Sequence, residues 1–121
     1  MTTTPNVAIL RFSDTAPNGR PLLSISVTRH LDQIQKFTGA ARLTIADCTL
    51  SCRMHPDSAV VDPAPIGRLD GPRVIAGEII SQFFKLGLAN ADYVLTYLVT
   101  FSDGSVEPFD AEISVRTILG I

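Results

Sequence analysis

Between Asp92 and Arg116 the chain reads "DYVLTYLVTFSDGSVEPFDAEISVR", with apolar and polar positions alternating on either side of one turn signal. Tyr93, Leu95, Tyr97, Val99 and Phe101 share one side of an extended backbone, opposite Val94, Thr96, Leu98 and Thr100. This period of two predicts a strand with one wholly apolar face. A second strand follows, with Phe109, Ala111, Ile113 and Val115 facing inward and Asp110, Glu112, Ser114 and Arg116 outward. Residues opposite each other in an antiparallel pair project from the same face, so parity tests the turn. A two-residue loop at Asp103-Gly104 would set Tyr97 against Asp110 and bury a carboxylate. A three-residue loop, Ser102-Asp103-Gly104 with Gly104 left-handed and a bulge after it, sets Tyr97 against Phe109 and Leu95 against Ala111. The longer turn is predicted, and Pro108, which has no N–H to donate, should turn its nitrogen to solvent or lie at an irregularity.

Upstream, Leu23, Ile25 and Val27 alternate with Ser24, Ser26 and Thr28, which predicts another half-buried strand. Leu43 and Ile45 begin a third on one phase, whereas Cys48, Leu50, Cys52 and Met54 continue on the other. A bulge or tight turn near Ala46-Asp47 accounts for the slip. The segment "EIISQFFKL" is apolar on both sides, as in a central strand covered on both faces or meeting a neighbouring subunit, with helix as the rival. Helical spacing occurs only at Leu31, Ile34 and Phe37, enough for two turns at most or an extended loop. From His55 to Arg73 four prolines and two glycines predict a long loop. Residues 1–21 are expected to be an N-terminal arm with one short candidate strand, "VAILRF", and residues 22–121 a single domain. The whole predicts an all-β chain, an antiparallel immunoglobulin-like β-sandwich of about seven strands.

Composition narrows the function. Lys plus Arg number 10 against 12 Asp plus Glu, so no basic excess drives nucleic-acid binding. No apolar run approaches the roughly 20 residues of a membrane-spanning helix, and the N-terminus lacks a signal-peptide pattern, so a soluble, unsecreted protein is expected. Hydrophobic residues make up 45% of the chain and charged ones 18%, an apolar balance that suggests protein partners.

The sharpest chemical cluster is "CTLSCRMH", with Cys48, Cys52 and His55 as soft ligands. Zinc needs a fourth ligand, and His30 is the only other histidine. Four residues of extended strand span about 13 Å, too far for a disulfide, so buried free thiols are expected. His30 and Asp32 lie close in sequence without a nucleophile-elbow pattern, and the carboxylates Asp103, Asp110 and Glu112 fit a turn and a wet strand face. No catalytic residue, metal or cofactor is assigned. An interface is expected instead around Phe83, Phe84, Val94 and Leu98, with Asp103 and Gly104 as structural turn residues.

From Val74 to Arg116 the chain resembles a family of small tailed-bacteriophage virion proteins, the fibre-tail adaptor proteins. Gly87 in the turn, Tyr93, Thr96 and Thr100 along the strand, Ser102, Asp103 and Gly104 in the hairpin, and Ile113 and Val115 in the last strand hold the family's positions. The family's inner tryptophan is absent here. The resemblance implies an immunoglobulin-like fold and a structural role in the virion, assembled in the host cytoplasm, joining fibres or peripheral components to the tail or neck. Partners would be tail, neck, fibre, portal or capsid proteins, with this chain in multiple copies around a symmetric ring. The alternatives are a capsid decoration or head-fibre protein and, from another class, a small metal- or thiol-dependent enzyme using Cys48, Cys52 and His55.

Overall fold

A computed structural model describes residues 10–117. Seven strands form two sheets: β1 (Leu10–Arg11), β2 (Leu22–Ser26), β3 (Ile45–Met54), β4 (Leu69–Ala76), β5 (Ile79–Phe84), β6 (Asp92–Phe101) and β7 (Val106–Ser114), with one helix, α1 (Thr28–Thr38), between β2 and β3. One sheet has the order β1-β7-β6-β3 and the other β2-β5-β4. The all-β class predicted from alternation holds.

The β6-β7 hairpin sets the register of the first sheet. Tyr97 pairs with Phe109 and Leu95 with Ala111, as parity requires. The Phe101 N–H donates to the Ser105 carbonyl at 2.8 Å and the Gly104 N–H to the Phe101 carbonyl at 2.9 Å, so Gly104 and Ser105 together oppose Phe101 across a three-residue turn. Gly104 has φ +85°, which a side chain would strain. The Asp103 carboxylate accepts from the Ser105 N–H and hydroxyl, and these bonds hold its pKa below the usual carboxylate range. Because Phe101–Ser105 is a hydrogen-bonded pair, alternation makes Leu98–Pro108 a non-bonded one, and the Pro108 nitrogen turns away from β6.

Tyr93, Leu95, Tyr97, Val99 and Phe101 are all buried, and with Ala111, Ile113 and Val115 they form one wall of the core. Leu23, Ile25, Ile80 and Phe84 form the other. Two contacts cross the gap between sheets: the Tyr97 hydroxyl donates to the Leu23 carbonyl at 2.8 Å, and the Phe84 and Tyr93 rings meet edge to face at 5.1 Å. On β3 the register shifts between Ile45 and Asp47, which is the phase slip seen in the sequence. It carries Cys48 and Cys52 into the core.

The structure corrects two expectations, decides a third between its alternatives and leaves part of a fourth outside the described residues. Helix α1 has three turns rather than two; it ends at Gly39 in the left-handed conformation, whose N–H donates to the Gln35 carbonyl. Leu31 is its only buried residue, and Phe37 is 85% exposed, so the apolar stripe is shorter than the helix. The proline-rich stretch is not loop throughout: Pro65–Arg68 is a 3₁₀ turn and β4 begins at Leu69. A register shift between Asp70 and Val74 absorbs Gly71, at φ +75°, and Pro72. The segment apolar on both sides is a strand, β5, central in its sheet, and its inward row is Ile80, Gln82 and Phe84. Gln82 is tolerated there because its amide nitrogen reaches the carbonyls of Asp70, Gly71 and Phe83 at 3.0–3.2 Å beside the β4 bulge. Finally, residues 7–9 of the candidate strand "VAILRF" lie outside the described residues, and only Leu10–Arg11 form β1, parallel to β7. The rest of the described arm continues along that edge through a Thr15–Val115 bridge.

Candidate functional site

Parity separates the soft-ligand cluster. Cys48 and Cys52 face the core, are 1% and 6% exposed and are unbonded thiols, while His55 projects to the outer face of the same sheet. Burial pushes the Cys48 thiol up to about 11 and the Cys52 thiol up to about 12, far from the range of an activated nucleophile. Among the described residues no group of three or more His, Cys, Asp or Glu side chains converges as a metal site would require. His30, on α1, packs between the rings of Phe101 and Phe109, and its neighbour in sequence Asp32 instead pairs with Arg42 at 2.6 Å.

The outer face of the β1-β7-β6-β3 sheet is polar and internally paired. Arg53 reaches Thr96 at 2.7 Å and Asp110 at 3.4 Å, and His55 meets Glu112 at 3.0 Å. Arg53, on β3, and His55, just past its end, both reach across β6 to β7. Val94 lies between Arg53 and Glu112 in the register, and the bridges close over it, leaving 4% exposed. Beside them Asp92 accepts from Ser114 at 2.6 Å and Arg116 at 2.7 Å. Burial raises the Asp92 pKa, but those bonds outweigh it and the carboxyl is held below its ordinary value. Arg11, His55, Asp57, Asp92, Glu112, Ser114 and Arg116 together line a shallow depression of about 190 Å³. Several of its groups are paired with one another: Arg11 donates to Ser114 and Arg116 to Asp92, and the His55 Nδ1 accepts from the Asp57 N–H, which leaves Nε2 to donate to Glu112.

The four expected interface residues do not share a surface. Phe84 is wholly buried in the core, Val94 is covered by the Arg53–Asp110 and His55–Glu112 bridges, and of the four only Leu98, 41% exposed, stands free on the first sheet. Phe83 is on the opposite sheet, half-buried beneath the Arg20 guanidinium, which stacks 3.7 Å from its ring centre. Around Phe83 lies the apolar surface that alternation did not single out. The outer face of β2-β5-β4 carries Leu22, Val74 and Ile79, each about half exposed, with Ser24 and Ser81 hydrogen-bonded to each other between them. The signal was present in the sequence as the two-sided apolar pattern of β5, but β4 had to be recognised before its rows could be assembled.

At the end of the sheets lies a buried ionic site that the sequence gave no local sign of. Asp62, 2% exposed, accepts from Arg68 at 2.7 Å, from the Tyr93 hydroxyl at 2.8 Å and from the Ala64 N–H at 3.0 Å. Burial raises the Asp62 pKa, but these donors outweigh it and hold the carboxyl below 3.8. The Tyr93 hydroxyl also accepts from the Leu88 N–H at 2.9 Å. The group ties the loop before β4 and the loop before β6 to the first residue of the β6 core row. Its arrangement is structural: both Asp62 carboxylate oxygens and the Tyr93 hydroxyl are bonded within the fold. Compared with family models, with curated proteins and with solved structures, the chain matches none.

Proposed function

We propose that this chain is an immunoglobulin-like sandwich, and within that class a virion structural protein of a tailed bacteriophage that attaches fibres or peripheral components to the tail or neck through protein contacts. The strand order supports the class. With β1 to β7 taken as A′, B, C, D, E, F and G, the sheets A′-G-F-C and B-E-D keep the immunoglobulin arrangement. Tyr93, at the start of the F position with its hydroxyl bonded back to Leu88, takes the place of the tyrosine corner.

The observation that carries the binding role is the outer face of β2-β5-β4, where Leu22, Val74 and Ile79 are exposed together with no titratable cluster beside them other than paired surface ions. The family positions in the C-terminal half also have physical reasons. A Cβ at Gly87 would fall 2.5 Å from Val115 and 2.9 Å from Phe84, so the link from β5 to β6 passes the core without room for a side chain. Such a module works by holding neighbours and needs no reaction.

The test is incorporation. In particles of a phage encoding this chain, mass spectrometry of purified virions is expected to find it at a fixed stoichiometry. An Ile79→Asp variant, altered at an exposed site, is expected to fold yet fall at least about tenfold in incorporation, the effect of losing roughly 1.4 kcal/mol at a contact. A chain absent from purified virions, or a variant incorporated like the parent, contradicts the reading.

A further inference from the structure

Sheet edges are pairing sites unless the protein blocks them. Among the described residues, three of the four edge strands are blocked or too short. β3 carries the charged side chains of Asp47 and Arg53, and the bulge of β4 folds against it through an Arg73–Asp47 ion pair. β4 is broken by Gly71-Pro72, and β1 has two residues. β2 is different. The Phe84 N–H donates to the Pro21 carbonyl and the Val27 N–H to the Glu78 carbonyl, so odd-numbered residues of this strand bond to β5. By alternation the N–H and C=O groups of Leu22, Ser24 and Ser26 point the other way. Those three residues are exposed, and among the described residues no strand pairs with them. The sequence of β2, Leu-Leu-Ser-Ile-Ser, has neither the charge nor the proline that protects an edge.

We propose that the β2 edge pairs antiparallel with β2 of a second copy, about a twofold axis through Ser24. In that register Leu22 of one copy opposes Ser26 of the other and Ser24 opposes Ser24. It is the register that uses every outward-facing backbone group of both strands, and the two β2-β5-β4 sheets become one. Charge favours a second copy as the occupant. The Leu22 end carries Arg20 and Lys85 around the single carboxylate of Asp70, while at the Ser26 end Glu78 and Asp32 are balanced by Arg42 and Arg29. An antiparallel twofold keeps the two net-positive ends apart and sets each beside the balanced end of its mate. The pairing also joins the two exposed apolar faces edge to edge. This inference is independent of the virion reading, since either can fail while the other stands.

The full chain is the material for the test. Sedimentation equilibrium over a dilution series reaching roughly 1 mM, the weak end of specific association, is expected to show a monomer–dimer equilibrium. Ser24→Lys and Ser24→Asp each place like charges face to face across the axis, and each is expected to raise the dissociation constant at least about tenfold. Mixing the two variants is expected to restore a dimer, and this rescue separates lost pairing from lost folding. In the parent, exchange of the Leu22, Ser24 and Ser26 amides is expected to slow as concentration rises. A parent that is monomeric throughout, a dimer indifferent to both substitutions, or a dimer whose β2 amides exchange freely overturns the proposal.

Discussion

Replacing Asp62 with alanine is expected to destabilise the fold by about 3 kcal/mol, at the low end of the cost of breaking a buried ion pair. The low end applies because Arg68 keeps 23% of its side chain exposed and can turn its charge to water once the carboxylate is gone. The larger part of the loss falls on the Tyr93 hydroxyl and the Ala64 N–H, which lose their acceptor inside the structure. Thermal melts followed by circular dichroism check this, and a shift of about 10 °C or more is expected for a domain of this size. The same site gives a pH dependence with a definite sign. The folded pKa of Asp62 lies below its ordinary 3.8, so its contribution is present in full above that value and is lost as pH falls through the folded pKa. Acid titration of the melting temperature is therefore expected to fall more steeply below about pH 4 in the parent than in Asp62→Ala.

The second large effect separates core from surface at residues that look alike in the sequence. Phe84→Ala is expected to cost about 3–5 kcal/mol, because the ring is fully enclosed and packs edge to face on Tyr93. Leu98→Ala is expected to stay within about 0.5 kcal/mol, since Leu98 stands on the outer face between Thr49 and Pro108. Urea unfolding of both variants, compared at constant slope, checks the pair. Similar losses in the two would contradict the assignment of faces on β5 and β6.

The features legible in the sequence were those written in short-range pattern. The β6-β7 register followed from the parity of Tyr97 and Phe109 and from the left-handed preference of Gly104, both properties of a few adjacent residues. The bulge at Ala46 was visible because it inverted an alternation that continued on either side. What escaped depended on partners distant in the chain. β5 is apolar on both faces, so nothing local said that Phe84 would be inside and Phe83 outside; the pairing of Phe83 with Leu22 and Asp70 decides it. β4 hid among prolines and glycines because its bulge is made of them. Val94 looked exposed by parity, yet Arg53 and His55 from one side and Asp110 and Glu112 from the other close over it. Asp62 carried no signal at all, since its three donors come from Arg68, Tyr93 and Ala64 only once the loops are folded.

The proposed role is to hold neighbouring proteins in a phage particle, with the exposed apolar face of β2-β5-β4 at the contact. Image reconstruction of virions from a phage encoding it tests that claim most directly. The expected map places several copies around the tail or neck, with Leu22, Val74 and Ile79 covered by an adjoining subunit. A particle without this chain, or one in which those three side chains remain open to solvent in every copy, would contradict the account.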